Sequence, residues 1–424
     1  MDRLIEFLQT SYTAYHAVEN AKKLLLDNGF TALSERQDWN LCPQGKYFVE
    51  RDSALIAFTL GANPEEYTFS IIASHLDSPA LKVKQNPLIK TEGYYKLNVE
   101  KYGGGILYSM LDRPLKIAGR VIVESENGKL LSKTYLSDYS VSIPSVAIHI
   151  NRNINDGLTL NPQIDMCPLF SLASDGEPDF LASLTNESVL DYDLYLVNDS
   201  KAFEFGANNE FVASPRVDNL SSAYASLTAL IQSKNTKGIQ MIALFDSEEI
   251  GNQTPEGAAS DFLERTMKSI ATAMEIPESK FNQAIAKSFF LSLDVAHAVH
   301  PNHPEKHDPT NRTMLGGGIV IKYNSNKAYV TGAKSAALLK AVFNKAGVRY
   351  QTFFNRSDAL GGSTLGRSFL SRVGMLGADI GLAQLAMHSA TESFAKSDYV
   401  ELENGLLAFF QTDVNIDDKS MEIL

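Results

Sequence analysis

The sequence predicts an α/β fold: a mainly parallel sheet flanked by helices, interrupted by an inserted β-rich module. Three observations carry this. From residue 206 onward, apolar strand-like runs alternate with helical patterns, which is how a parallel sheet covered on both faces reads. Between about 87 and 205 long helical patterns are scarce and alternating runs replace them. Polar residues also gather just after the apolar runs, at the strand ends where open α/β sheets bind ligands.

Taken in order, residues 1–35 are helical, because Leu4, Phe7, Leu8, Tyr12, Tyr15 and Val18 recur at spacings of three and four. Gly29 closes a second helical stretch. Two strand-like runs follow, LIAFTLG at 55–61 and EYTFSIIASHLDSP at 66–79, the second ending on His75 and Asp77 just before Pro79. GRVIVESENGKLLSKTYL carries Asn127-Gly128 between two alternating runs, a hairpin signal, and YDLYLVND at 192–199 alternates again. VDNLSSAYASLTALIQS is helical from about Leu220, GIQMIALFD is a strand and GAASDFLERTMKSIATAM a helix. SFFLSLDV (288–295) is a strand, SAALLKAVFNKAG (335–347) a helix and RYQTFFN (349–355) a strand. The expected division is therefore 1–86 with 206–424 as one discontinuous domain and 87–205 as the insertion.

The totals narrow the partners. A chain of 424 residues exceeds one ordinary domain, and 44% hydrophobic with 21% charged residues describes a soluble globular protein. Fifty acids against 38 Lys and Arg give a net charge of −12, which argues against nucleic acid or an anionic membrane surface as the main partner. The opening MDRLIEFLQTSYTAYHAVENAKKLLL reads as an amphipathic helix and not as a signal peptide. No window approaches about 18 consecutive apolar residues, so no membrane span is expected. Cys42 and Cys167 lie far apart without metal-like spacing, which fits a reduced, cytoplasmic chain.

Several strand ends carry metal-ligand chemistry. SIIAS leads to His75 and Asp77, MIALF to Asp246, Glu248 and Glu249, and FFLSL to Asp294. Asp218 precedes a helix in SPRVDNL, and His388 follows an apolar stretch in LAMHSATE. Each alone is a weak signal, since an Asp after a strand is more often a turn former or helix cap. Together they would place several carboxylates on one edge with no adjacent Lys or Arg except Arg216, and like charges that close oppose ionisation. Divalent cations resolve that conflict, and two His with several carboxylates suit zinc or manganese. The bland alternative is a solvated rim of acids. Extended backbone after Phe245 would turn Glu248 and Glu249 to opposite sides, one to a metal and the other to a water. Spacing does not say which does which.

HAVHPNHPEKH (297–307) holds four of the eight histidines. Pro301 and Pro304 break helical spacing, so it reads as a polar loop near the site. SDALGGSTLG (357–366) is glycine-rich but lacks the phosphate-loop Lys, and reads as a tight loop or an ordinary turn.

These motifs, taken along nearly the whole chain, resemble the aspartyl aminopeptidase family, which also includes the vacuolar leucine-preferring aminopeptidase, within the wider group of two-zinc exopeptidases. The matching segments run in order: YHAV (15–18), GKYFVERDSALIAF, SHLDSPALKVK, PSVAIHINRNIN, SPRVDNL, FDSEEIG, LDVAHAVHPN and MHSATE. The resemblance implies the two-zinc exopeptidase fold and two divalent ions per subunit, zinc first, with manganese or cobalt as alternatives. It makes His75, Asp218, Glu249, Asp294 and His388 the metal ligands, with Asp218 bridging. Glu248 becomes the general base for the bridging water, and Asp77 orients His75. It also implies a tetrahedral homododecamer, with the inserted module making dimer contacts and His149 reaching a neighbouring subunit's site. His297 becomes a substrate-side histidine, and Lys322 a positive charge for an acidic side chain. Two departures stand out: SYTAYHAV lacks the family's prolines, and Thr391 stands where an Arg is common.

The expected function is a cytoplasmic metalloaminopeptidase acting on peptides with a free N-terminus, acidic residues first and neutral ones such as Leu second. The alternatives are another two-metal amidohydrolase or carboxypeptidase, and a non-catalytic shell or cargo-binding protein.

Overall fold

Strands buried along their whole length organise the chain. In the computed structural model, which describes residues 1–62, 67–359, 361–417 and 419–423, Ala54–Leu60, Ile239–Phe245 and Phe289–Leu293 are buried at every position. Glu66 of the second strand-like run and Leu360 of the glycine-rich loop lie outside the described residues. The three buried strands belong to a nine-stranded sheet, and in Ile239–Phe245 the period of two divides side chains between two cores. Ile242 and Leu244 join the core beneath the helices Asp2–Thr10, Ala14–Asp27, Val217–Gln232, Ala333–Ala346 and Lys396–Gln411. Met241, Ala243 and Phe245 join the opposite core, under Phe262–Ala273 and Leu365–Val373. Each fully buried aliphatic side chain contributes about 1.5–3 kcal/mol through burial.

Around this centre the sheet is parallel, as expected: Ile239–Phe245 pairs with Phe69–His75, which pairs with Phe289–Leu293, which pairs with Leu376–Gly381. The margins are mixed. Lys46–Arg51 and Ala54–Leu60 form an antiparallel pair on one side, and Ile319–Lys322 runs antiparallel to Leu376–Gly381 on the other.

The second sheet has six strands, all antiparallel, and includes the Asn127-Gly128 hairpin between Leu115–Glu124 and Leu130–Leu136. Gly128 takes a φ of 71°, the left-handed backbone the turn demands. This sheet has its own core, including Leu81, Val83, Leu97, Ile117, Leu194 and Leu196. Its first strand, Ala80–Thr91, starts ahead of residue 87, only a few residues beyond His75. The chain rejoins near Phe203–Phe205, the edge of a five-stranded sheet with Phe211–Ser214, Glu392–Ala395, Ala383–Leu385 and Ala296–His297. No described helix is long and apolar enough to cross a membrane.

Candidate metal centre

Parallel register brings three chain ends to one edge. Phe245 pairs with His75 and Ser292 with Ala73, so His75, Asp294 and the acids after Phe245 emerge level. Asp218 arrives from the start of Val217–Gln232, where its φ of −79° and ψ of 106° are not yet helical. Its peptide bond to Asn219 is cis. Asn219 Nδ2–H donates to Leu293 O at 2.9 Å, and Ser78 Oγ–H to Asp218 O at 2.7 Å. His388 sits in the turn before Glu392–Ala395, in left-handed backbone with φ of 64°.

The side chains from these positions converge. His75 Nε2 lies 3.4 Å from Asp218 Oδ1 and 3.6 Å from Asp294 Oδ1. His388 Nε2 lies 3.5 Å from Asp218 Oδ2 and 3.3 Å from Glu249 Oε1. These separations exceed ordinary hydrogen bonds. They match the edge of a zinc tetrahedron, about 3.3–3.4 Å for bonds of about 2.0–2.1 Å. Two triads share Asp218, His75–Asp218–Asp294 and Asp218–Glu249–His388, and a third, His75–Glu248–Glu249, lies within the same reach. Asp218 Oδ1 and Glu249 Oε1 are buried without a hydrogen-bond partner among the described residues, as expected of oxygens that face a cation. The donor set therefore fits two divalent ions.

Charge tells the same story. Burial and the charge of Asp218 hold Glu249 well above the carboxylate range. Burial, helped by Asp294, Asp77 and Asp218, pushes Glu248 up to about 8. Burial opposes a charged His388, but Asp218 and Glu249 raise it to about 10. Protons stand in for cations in such a cluster.

The expected separation of the two glutamates to opposite sides is not seen: both carboxylates lie with His75 in one group that could hold a metal. Ser247 is left-handed, with φ of 63°, and Glu248–Ile250 is a turn of 3-10 helix, so strand alternation does not apply there. Instead, Glu248 N–H and Glu249 N–H donate to the two oxygens of Asp77, each at 3.1 Å. Asp77 also engages His75, whose Nδ1 lies 3.1 Å from Asp77 O and 3.3 Å from Asp77 Oδ1. With Nδ1–H given to a carbonyl, Nε2 is left bare for a metal.

Asp246 has a structural part. Its carboxylate accepts from Ser53 Oγ–H and from Ser247 N–H, closing the turn that presents Glu248. Lys322 is buried, with Nζ 3.0 Å from Val295 O and 3.4 Å from Asp294 Oδ2. His297 is exposed and packs against Phe353, 6.1 Å between ring centroids. His149 is exposed on the inserted module, outside the described clusters that could hold a metal. In the histidine-rich loop His300 N–H donates to His307 Nε2 at 3.1 Å, an internal brace consistent with a loop.

Glu392 escaped the sequence reading. It is buried, and its carboxylate accepts from Asp218 N–H at 2.8 Å and His388 N–H at 2.7 Å, fixing two candidate ligands at once. An acid four residues after a candidate His was the available signal.

Comparison with known proteins decides the family. The profile of the aminopeptidase I zinc metalloprotease (M18) family matches residues 7–410. The chain belongs to the M18 aminopeptidase family. It is therefore a metal-dependent aminopeptidase of a zinc metallo-exopeptidase family. M18 relatives include a probable M18 family aminopeptidase 2 of Clostridium acetobutylicum, 39% identical, covering 96% of this chain and 98% of the relative. Aspartyl aminopeptidase 1 of Schizosaccharomyces pombe is 34% identical, covering 98% and 95%. Among solved M18-like structures, a chain of the Ape4 and Nbr1 complex superposes with a TM-score of 0.92 at 35% identity, over 96% of this chain and 85% of that one. A subunit of a yeast mApe1 dodecamer superposes with a TM-score of 0.83 at 26% identity, over 96% and 95%.

Proposed function

We propose that the chain removes N-terminal residues from peptides at a two-metal site, with acidic residues preferred and neutral ones second. The observation that carries the reading is the shared carboxylate of Asp218, facing His75 with one oxygen and His388 with the other. His75, Asp218 and Asp294 would hold one ion, and Asp218, Glu249 and His388 the second. Zinc is the first choice for both. Bound zinc would polarise the scissile carbonyl and make a water acidic enough to attack near neutral pH.

The protein's own residues do the rest. Glu248 carries the site's remaining carboxylate, and it takes the proton of the attacking water and passes it to the departing amine. Asp77 holds His75 and the Glu248 turn in one hydrogen-bonded unit. His297 lies on the substrate side. Lys322, an ammonium beside Asp294, is charge of the right sign for an acidic side chain.

The same reading takes residues 87–205 as an assembly module and the chain as a cytoplasmic homo-oligomer, a tetrahedral dodecamer in its full form. Exposed apolar side chains on that module support it, Ile150 at 82% and Ile164 at 69% among them. His149, in the same exposed segment, would enter a neighbour's site.

A panel of aminoacyl and peptide substrates, each with a free and an N-acetylated terminus, tests the reading. The expected result is cleavage of free termini only, fastest for Asp and Glu. Cleavage of acetylated peptides contradicts it.

A further inference from the structure

The second sheet does more than sit beside the metal centre. Its strand Tyr94–Tyr102 runs directly into Gly103, Gly104 and Gly105, and this short segment lies against the ligands. Tyr102 Oη–H donates to Asp77 Oδ2 at 2.8 Å, the same oxygen that accepts Glu249 N–H. Gly104 O accepts from His388 Nδ1 at 3.1 Å, and Ile106 N–H donates to His388 O at 2.9 Å. His388 thus has its ring and its backbone held by one piece of chain from the other sheet. It has need of this, being in left-handed backbone with a side chain 29% exposed. A carbonyl accepts only, so the Gly104 contact fixes the tautomer that leaves His388 Nε2 bare toward Asp218 and Glu249. Gly103 is fitted to the same purpose: its φ is +72°, and an added Cβ would stand 3.1 Å from Glu249 Cβ.

Resting on the ligand assignment proposed above, we infer that the Tyr102–Ile106 segment is a positioning element for the metal centre. Tyr102 acts on His75 through Asp77, and the Gly104 carbonyl acts on His388. The inserted module is then part of the active site of its own subunit, whatever its part in assembly.

Tyr102→Phe removes one hydroxyl and keeps the ring that packs edge-on against Tyr195 at 5.3 Å. Zinc affinity of the metal-free, full-length protein is measured by chelator competition, alongside kcat, KM and the thermal midpoint of the metal-free form. The expected result is a 10–100-fold loss of zinc affinity and a matching fall in kcat, with KM and the metal-free midpoint unchanged. Gly103→Ala is expected to act in the same direction, and Tyr94→Phe, on the exposed part of the same strand, to change nothing. Wild-type zinc affinity and kcat in Tyr102→Phe overturn the inference, as does a loss confined to the midpoint. His388→Ala separates the two levels. If it weakens zinc binding and Tyr102→Phe does not, the positioning role fails alone; if His388→Ala leaves zinc binding intact, the ligand assignment fails and takes this inference with it.

Discussion

His388 stands 3.5 Å from Asp218, across a carboxylate whose other oxygen faces His75. One side chain therefore serves both triads, and its loss should cost more than the loss of either histidine. Asp218→Asn is expected to bind neither ion stably and to lose at least about a thousandfold in kcat. His388→Ala is expected to keep one ion per chain. Metal content by mass spectrometry after desalting distinguishes them, and equal retention in both variants would contradict the shared-ligand geometry.

Glu248 is given the proton-transfer role and no metal, so chemistry and metal binding should separate at this position. Glu248→Gln is expected to retain metal content and substrate affinity while kcat falls by about 10²–10⁴-fold. Wild-type turnover in that variant would remove Glu248 from the mechanism.

Gly381 is required by close approach. A Cβ there would fall 1.8 Å from Asp294 O, in the strand alongside the one that delivers Asp294. Gly381→Ala must push the two strands apart, and the expected cost is about 1–3 kcal/mol in stability, with weakened metal binding because Asp294 moves. Urea denaturation with and without zinc measures both; an unchanged midpoint and affinity would mean that the strands give way more easily than their packing implies.

The metal-free cluster retains protons: Asp218 and Glu249 outweigh burial to hold His388 at about 10, and burial with neighbouring acids holds Glu248 at about 8. At pH 7 cations must displace some of these protons, so zinc affinity should weaken as pH falls. Calorimetric titration in buffers of different ionisation enthalpy should show net proton release, and zero release or proton uptake would contradict this.

His16 lies on Ala14–Asp27, and Thr13 Oγ1 is 2.9 Å from its Nδ1. Burial first, and Arg216 second, lower its pKa to about 4 from an ordinary 6.5. The depressed value means that the unfolded chain takes up a proton the native chain refuses. The contribution is complete above pH 6.5 and is lost as pH falls toward 4, about 3 kcal/mol at the limit. His16→Gln in the metal-free protein should flatten the pH dependence of stability in that window; an identical slope would show that His16 does not titrate as its burial requires.

Much of this was legible in the sequence. Fully buried strands such as Ile239–Phe245 announce themselves as unbroken apolar runs, and the strand-end rule led to His75, Asp294 and the Glu248–Glu249 pair. The resemblance supplied the proposed division of labour between those two glutamates. Lys46–Arg51 and Ile319–Lys322, at the mixed margins of the sheet, escaped the reading, and the start of the second sheet at Ala80 falls inside a motif shared with the candidate metal site. The supports of the candidate ligands were the least visible. Glu392 lies only four residues from His388 but 174 from Asp218, and Tyr102 and the carbonyl of Gly104 act wholly across long separations, 284 residues for His388 with Gly104, so local spacing holds no trace of those contacts. The 3-10 turn at Glu248 was hidden for another reason: it depends on Ser247 adopting left-handed backbone.

The most direct measurement is an anomalous difference map from crystals of the zinc-loaded protein. Two peaks are predicted, one between His75 and Asp294 and one between Glu249 and His388, each about 2.0–2.2 Å from an oxygen of Asp218. A single peak, or peaks out of reach of Asp218, would contradict the two-metal account.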